Sequence, residues 1–411
     1  MIGYAAALDR ILKNSASLRT EKLPLASLHK RVAGVDVVSP IHLPSFRNSA
    51  MDGFAVSSSD LANAAREHPV TITIACDIAA GDEIKHMDAA SGAAQIMTGA
   101  LVPEIYDAVI KLEDVMVDGG LVTFRHPAKP GENIRFAGED VKSGQVVVSN
   151  GRIINSEQIM MLAALGIAEL EVYSLPDIHV ISTGNEITDH LSTPLPDGKI
   201  YNASAPYLIS CLKEAGINAN YDGIVADDAA VFEQKVTSVK DGSIIITTGA
   251  VSKGKWDFIP ASLQRLGAKM HFHGVNIRPG KPILFATLPN GNWFFGLPGN
   301  PISTAVGFRF FVLPLIRALQ KLAPEQPVQA RLEKDFIKKG HFRQFLPSSL
   351  IINANGELTV AIASGQEVCK ISPMTESNSW VILDEDGLEY QAGALVPVIP
   401  FATGSFLCHR T

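Results

Sequence analysis

Four short motifs in the middle of this 411-residue chain combine glycines, hydroxyls and charges. Glycines let a backbone approach a phosphate, hydroxyls bond phosphate oxygens, and a carboxylate can hold a divalent cation. A single motif of this kind is usually an ordinary turn, but four in one α/β unit predict a pocket for an oxyanion and a metal. The motifs are Ser182-Thr183-Gly184-Asn185-Glu186, Thr247-Thr248-Gly249-Ala250-Val251-Ser252-Lys253-Gly254-Lys255-Trp256-Asp257, Ile277-Arg278-Pro279-Gly280-Lys281-Pro282 and Gly296-Leu297-Pro298-Gly299-Asn300-Pro301.

Some residues in these motifs also have purely structural explanations. Asp257 could cap a helix instead of holding a cation, and Arg278 and Lys281 could form a solvated face. On a stiff turn, however, two cations three residues apart suit an anion.

A fifth motif, Pro44 to Val56, lies earlier in the chain. Asp52 is followed by glycine and has small neighbours, which favours an exposed functional carboxylate, although a loop entering a strand has the same pattern. Two nearby runs add polar groups, namely Met97-Thr98-Gly99-Ala100 and Arg135-Phe136-Ala137-Gly138-Glu139-Asp140. The two acids of the second run could bind a metal or form a solvated turn.

The elements that position these motifs fall into four predicted units. Apolar residues at helical spacing predict a helix over the first 33 residues, with a second short helix from Leu25 to Gly34, and another helix over Ser156–Leu165. Residues 36–140 alternate as short strands, typical of an inserted β-rich domain. We therefore predict one helical domain from residues 1–35 and 141–175, which brackets this insert.

Residues 176–326 alternate between strands and helices, which predicts a parallel sheet covered on both faces. Ligands bind at the carboxyl edge of such a sheet, where the glycine-rich motifs fall. After the proline-rich break at 324–327, residues 327–411 carry short strands and turns, which predict a small β-barrel or sandwich.

Composition excludes several classes of protein. With 35 basic and 42 acidic residues the net charge is −7 and the pI about 5.9, which argues against a nucleic-acid coating protein. The four cysteines lack CxxC spacing, so neither a disulfide framework nor a zinc site is expected; they are Cys76, Cys211, Cys369 and Cys408. The apolar run Thr304–Leu319 carries two arginines and is expected to break at Gly307 and Pro314, so we expect no membrane span and a cytoplasmic protein.

Seven motifs together resemble the MoeA/gephyrin family of molybdenum insertases. SAMDGFA, MTGA-x-VP, R-x-x-GED, STGNE, TTGAVS-x-G-x-x-D, RPGKP and GLPGNP occur in the order and spacing of that family, over residues 4 to 405. The resemblance implies an elongated homodimer with four-part subunits, in which the inserted domain faces the partner's α/β pocket. It also implies a reaction on adenylylated molybdopterin and molybdate that releases AMP and depends on Mg²⁺, with a molybdopterin adenylyltransferase as the candidate donor.

The resemblance also implies roles for individual residues. The implied catalytic acids are Asp52, Asp140, Glu186, Asp228 and Asp257. Glu186 and Asp257 are also implied metal ligands, and Asp227 is an alternative to Asp228. The implied substrate-binding residues are Thr98, Ser182, Thr183, Gly184, Thr248, Gly249, Ser252, Arg278, Lys281, Pro282, Pro298, Asn300 and Arg343.

Departures from the family pattern leave other functions open. Lys255 stands where an acid is common, Arg278 replaces a lysine, and Cys369 stands where the family has a serine. In the last domain Arg343 is expected to replace the first of two family arginines, while Pro347 stands at the second. A diverged nucleotidyltransferase or hydrolase acting on a related pterin nucleotide is therefore an alternative. A gephyrin-like scaffold is another, because the resemblance includes the gephyrin branch, which also clusters membrane receptors.

Overall fold

The N-terminal part of the chain is rich in short strands. A computed structural model describes residues 1–82, 92–251, 258–364 and 370–401. Up to Tyr173 its elements are α1 (Tyr4–Lys13), β1 (Thr20–Pro24), β2 (Val37–Val38), β3 (Asn48–Ser49), β4 (Gly53–Val56), β5 (Val70–Ile78), β6 (Ala93–Ile96), β7 (Ala108–Lys111), β8 (Val115–Asp118), β9 (Leu121–Phe124), β10 (Ile134–Arg135), β11 (Val146–Val148), α2 (Ser156–Ala164) and β12 (Glu169–Tyr173).

The bracketing unit is less helical than predicted. The first helix ends at Lys13, and β1 then pairs antiparallel with β12, while only a 3₁₀ turn covers Leu25–Ser27. Tertiary pairing overrides the local helical spacing here, because β1 completes its hydrogen bonds on a distant strand. Leu28 and Leu162 share one core, so the stretches before and after the insert do pack together. Helix α1, in contrast, packs on the α/β core through Ala7 and Ile11.

The insert forms a six-stranded sheet in the order β7-β4-β6-β5-β9-β8. Its core includes an edge-to-face pair of Phe54 and Phe124, whose ring centroids are 6.4 Å apart. Among the described residues, the insert shares neither a sheet nor a hydrophobic cluster with the α/β domain.

The α/β domain confirms the predicted parallel sheet. Its elements are β13 (Ile178–Thr183), β14 (Ile187–Thr188), β15 (Ile200–Tyr201), α3 (Ser204–Glu214), β16 (Asn220–Val225), α4 (Ala229–Thr237), β17 (Ile244–Thr248), α5 (Ile259–Arg265), β18 (Lys269–His273), β19 (Ile277–Arg278), β20 (Leu284–Thr287), β21 (Trp293–Leu297), α6 (Pro301–Gly307) and α7 (Leu313–Leu319). The strand order is β16-β13-β17-β21-β20-β18, and the first four strands are parallel. Along β17, Ile244 and Ile246 enter one core and Ile245 the other, so helices cover both faces.

One helical segment, Pro301–Leu319, is by length and composition apolar enough to span a membrane. Within the protein 83% of its most apolar stretch is buried, so we interpret it as the core helix of the α/β domain. The predicted breaks at Gly307 and Pro314 are wrong. A π turn at Phe308–Val312 joins α6 to α7, so the helical segment continues past Gly307, and Pro314 lies in the first turn of α7, where proline is tolerated.

The C-terminal unit is a small barrel, as predicted. Its elements are β22 (Val328–Leu332), β23 (Phe336–Ile337), β24 (Arg343–Ile352), β25 (Leu358–Ile362), α8 (Ser372–Thr375), β26 (Ser379–Leu383), β27 (Glu389–Tyr390) and β28 (Leu395–Pro400). Strands β24, β25, β22, β28 and β26 close into a ring because β24 also pairs with β26. Strand β19 of the α/β domain adds to β24, which joins the barrel to the sheet edge.

Candidate functional site

The carboxyl ends of the parallel strands bring the predicted motifs to one edge. Thr183 pairs with Val225 and Ser182 with Thr248, while Thr248 pairs with Leu297. The loops that leave these strands therefore start side by side. Ser182, Thr183 and Thr248 are themselves buried, so their hydroxyls act inside the protein: the Thr183 hydroxyl donates to the Thr248 carbonyl at 3.0 Å.

Gly249 can only be a glycine at this edge. Its φ is +98°, and a Cβ there would lie 2.5 Å from the Thr183 carbonyl oxygen, which is backbone and cannot move aside. A Cβ on Gly299 would lie 3.5 Å from the Cα of Gly249, so the GLPGNP turn packs closely on the TTG turn. The close approach of these two backbones makes a floor of small residues at this edge.

The STGNE turn carries an exposed acid. Gly184 has a φ of +136°, and the Glu186 carboxylate folds back over it. Within the described residues this carboxylate accepts no hydrogen bond. The turn itself is held by a bond from the Ile200 amide to the Glu186 carbonyl, at 2.8 Å, and by Lys199, which donates to the Asn185 carbonyl. Glu186 is therefore positioned by its backbone, with its side chain available.

A polar network fastens the far end of the same turn. The Asn202 amide donates to the Ser182 hydroxyl at 2.9 Å and to Asp189 at 2.9 Å. The Tyr221 hydroxyl donates to the second oxygen of Asp189 at 2.7 Å. Burial, followed by the bond to Asp189, raises the pKa of Tyr221 to about 12, so this hydroxyl stays protonated. Sequence reasoning missed Asp189, Asn202 and Tyr221, because only the fold brings them together.

The two neighbouring aspartates after β16 have different surroundings. Asp228 caps α4 and accepts from the amides of Ala230 and Val231 at 2.8 and 3.1 Å. Asp227 instead faces the STGNE turn: its carboxylate accepts from the Asn185 amide, and its own amide donates to the Asn185 side chain, both at 3.4 Å. The cap gives Asp228 a structural task. The geometry thus favours Asp227, the alternative to Asp228, as the acid of this edge.

The RPGKP turn lies at the same edge. It precedes β20, whose first residue pairs antiparallel with Gly296 near the end of β21. A Cβ on Gly280 would lie 3.7 Å from the Ser303 carbonyl of α6, which places the turn beside the GLPGNP motif. Arg278 and Lys281 are exposed, and within the described residues neither forms an ion pair. Pro282 is half-buried in this turn.

The GLPGNP motif opens the core helix. Asn300 caps α6, with its side chain accepting from the amides of Ile302 and Ser303 at 3.1 and 3.3 Å. The Pro298 carbonyl accepts from the Thr304 hydroxyl at 2.7 Å. Both residues shape the turn: the cap uses the Asn300 Oδ1, and the Pro298 carbonyl holds the first turn of α6. Within the described residues the Asn300 Nδ2 has no hydrogen-bond partner. Ser252 and Asp257 lie outside the described residues.

In the insert, Asp52 and Thr98 form a pair. The Asp52 carboxylate accepts from the Thr98 amide at 2.7 Å and from its hydroxyl at 3.0 Å. These bonds, the amide first, lower the pKa of Asp52 from its ordinary value. Asp52 also lines a cavity of about 440 Å³ with Asp77 and Gln95.

Asp140 lies at the other end of the β3–β10 ladder. At one end of the ladder the Asp140 amide donates to the Leu43 carbonyl at 3.0 Å. At the opposite end Ser49 pairs with Ile134, and the turn that carries Asp52 follows Ser49. The fold therefore does not bring Asp140 and Asp52 together.

Arg343 is engaged within the barrel. Its guanidinium pairs with Asp384 at 2.7 Å and with Glu385 at 3.2 Å, and its Cζ lies 5.1 Å from the centre of the Tyr4 ring. These contacts satisfy its charge, so the expected contact with an oxyanion has no support from this geometry. Cys369 lies outside the described residues.

Three family models cover nearly the whole chain. They are the MoeA N-terminal region (domain I and II) over residues 2–166, the probable molybdopterin binding domain over 179–318, and the MoeA C-terminal region (domain IV) over 329–401. The molybdopterin molybdenumtransferase of Haemophilus influenzae is 36% identical over 93% of this chain and 94% of its own length. The chain belongs to the molybdopterin molybdenumtransferase family.

Other members of the family are also similar over nearly their full lengths. The Synechococcus elongatus molybdopterin molybdenumtransferase is 34% identical over 93% of this chain and 95% of its own. A crystal structure of the molybdopterin biosynthesis MoeA protein of Pyrococcus horikoshii superposes with a TM-score of 0.81, at 26% identity, over 97% of this chain and 99% of that one. The predicted multi-domain fold is therefore confirmed, and the chain is a member of a family of transferase enzymes.

Proposed function

We propose that this protein transfers molybdenum to adenylylated molybdopterin, with release of AMP, in molybdenum-cofactor biosynthesis. The observation that carries the proposal is the meeting of four glycine-rich motifs at one strand-end edge, where exposed acids and cations stand together. The names of its relatives support the reaction class. AMP release is the part of the proposal that the resemblance to the MoeA/gephyrin family implies, and the exposed acids and cations of this edge are the groups that a reaction at a phosphate needs.

The acids of the edge fit a Mg²⁺ ion. Mg²⁺ prefers oxygen ligands and is usually held by one or two carboxylates together with substrate phosphates and water, not by a full protein cage. The described residues contain no group of three ligating side chains, so an ion at this edge would take its other ligands from substrate and water. Glu186 and Asp227 would hold the ion, which when bound supplies positive charge at a phosphate oxygen.

The RPGKP turn fits the anionic substrates. Arg278 presents a planar fork of donors and Lys281 a point charge, and both are exposed without an ion-pair partner in the described residues. Molybdate is a doubly charged oxyanion of the kind that such groups bind. We assign Arg278 and Lys281 to the binding of molybdate or of the pyrophosphate.

A homodimer would complete the site. The Asp52–Thr98 pair and the strand-end edge share no sheet and no core within the described part of one subunit. In a twofold-symmetric dimer each insert can instead face the α/β domain of the other subunit.

The test is an assay with adenylylated molybdopterin, Mg²⁺ and molybdate, read for both AMP and active cofactor. We expect both products. Formation of AMP without cofactor would identify a diverged hydrolase. If neither AMP nor cofactor formed, the proposed reaction would be excluded. Omitting Mg²⁺, or replacing it with Na⁺ at equal ionic strength, should abolish AMP release.

Mixing two inactive variants tests the shared site. If Asp52 and Asp227 act across the dimer, unfolding and refolding Asp52→Asn together with Asp227→Asn forms mixed dimers that have one intact site. Random assortment would then restore about a quarter of the wild-type activity. A mixture as inactive as its components, with mixed dimers shown by native mass spectrometry, would place both groups in sites built within one subunit.

A further inference from the structure

Phe342 lies where the barrel joins the α/β domain. It directly precedes β24, the strand on which β19 pairs, with Arg278 opposite Gln344. The Cζ of Arg278 lies 5.8 Å from the centre of the Phe342 ring. This distance is within the range in which a guanidinium is attracted to an aromatic face.

The Phe342 turn is itself firmly held. The buried Lys338 ammonium donates to the carbonyls of Phe342 at 3.0 Å, Glu385 at 3.1 Å and Asp384. Its Nζ also lies 5.8 Å from the centre of the Phe342 ring. Three carbonyl acceptors satisfy all three donors of an ammonium group, so Lys338 ties two loops of the barrel together.

Two more contacts fix this turn to the α/β domain. The Asn276 side chain donates to the His341 carbonyl at 3.0 Å, and the Arg343 amide donates to the Asn276 carbonyl at 3.1 Å. Gly340 has a φ of +111°, and a Cβ there would lie 2.8 Å from the Phe342 ring, so glycine lets the ring lie against its own turn.

Arg278 has no comparable support of its own. It is exposed, and within the described residues it has neither a carboxylate partner nor a side-chain hydrogen bond. Arg343, one residue beyond Phe342, is held by two carboxylates instead. Among the described residues, the contact with the Phe342 ring is the one hydrogen-bonding, ionic or cation–π interaction of the Arg278 guanidinium.

We propose that Phe342 is a positioning residue that orients the Arg278 guanidinium for the oxyanion substrate. The inference rests on the proposed function, in which Arg278 binds an anion. A guanidinium that is already oriented loses less rotamer freedom when it binds, so its contacts with the anion are stronger. In this arrangement the barrel adjusts an anion site on the α/β domain without touching the anion.

The test compares Phe342→Leu with Phe342→Tyr. Leucine keeps an apolar side chain but removes the aromatic face, whereas tyrosine keeps the face. An exposed cation–π contact corresponds to about a two- to fivefold change in an equilibrium constant. We expect Phe342→Leu to raise the KM for molybdate about two- to fivefold with kcat little changed. The Phe342→Tyr variant should keep the wild-type KM.

A double-mutant cycle separates this role from a structural one. If Phe342 acts through Arg278, Phe342→Leu should add no further loss of molybdate affinity in the Arg278→Ala background, measured by equilibrium dialysis without the pterin nucleotide. The proposal would be overturned if Phe342→Leu lowered molybdate affinity by the same factor in the wild-type and Arg278→Ala backgrounds. It would also be overturned if Phe342→Leu and Phe342→Tyr both lowered kcat and the melting temperature.

The same cycle distinguishes two failures. If Arg278→Ala weakens molybdate binding but Phe342→Leu does not, the positioning role fails and the anion site stands. If Arg278→Ala has no effect on either the affinity or the KM for molybdate, the anion role in the proposed function fails first.

Discussion

The strand-end edge of the α/β domain and the Asp52 turn of the insert present their carboxylates differently. At the edge, Glu186 has a fixed backbone and a side chain that accepts no hydrogen bond within the described residues. In the insert, two bonds from Thr98 hold the Asp52 carboxylate itself. A free carboxylate can turn to ligate a cation, whereas a fixed one with a lowered pKa is a permanent, directed acceptor. This difference is the reason why we propose metal and phosphate chemistry for the edge and orientation of substrate for the insert.

The largest effect should come from the edge. Asp227→Asn removes a charge that we assign to the cation, and we expect AMP release to fall by at least about a hundredfold, since metal-assisted charge stabilisation is worth several kcal/mol. The matched variant is Asp228→Asn, which keeps a good helix cap. Single-turnover AMP release measures both.

The outcome decides between the two acids. A large loss in Asp227→Asn with a small one in Asp228→Asn would support the geometry. A large loss of AMP release in Asp228→Asn with a small one in Asp227→Asn would assign the cation to Asp228. Equally small losses in both variants would show that neither aspartate takes part in the reaction.

Backbone packing at the edge gives the next largest effect. Gly249→Ala places a Cβ against the Thr183 carbonyl and also forces an unfavourable φ, so we expect a loss of more than about 2 kcal/mol in the free energy of unfolding. Gly242→Ala is the control, because its φ is +75° but a Cβ there meets nothing within 4 Å. It should cost about 1 kcal/mol. Urea denaturation measures both, and equal losses would show that the close packing is not the cause.

The smallest effect should be a shift in pH dependence from the insert. The Thr98 bonds lower the pKa of Asp52, so the charged form, and any activity that needs it, persists to lower pH and is lost as the pH falls through that pKa. Thr98→Ala removes the hydroxyl but keeps the amide, and should move the acidic limb of the kcat/KM profile to higher pH. Thr98→Ser should leave the profile in place. A shift to lower pH, or the same shift in both variants, would contradict the assignment.

Much of the site was predictable from sequence because its parts are local. A strand, a glycine turn and a polar residue occur within a few positions in STGNE and GLPGNP, and the alternation with helices places their ends at one edge. The different surroundings of Asp227 and Asp228 were not predictable, because adjacent aspartates have the same local sequence. They depend on which one reaches the first amides of α4.

The parallel sheet, the family and the motifs at the strand-end edge could be read from the order of the residues alone. The partners of the long-range groups depend on the folded structure. Asp189, Asn202 and Tyr221 converge over three separate segments, helix α1 packs on the α/β core, and Arg343 turns to Asp384 and Glu385. The physical reason is that propensity and periodicity act over neighbouring residues, whereas pairing of charges and burial of side chains depend on segments that only folding brings together.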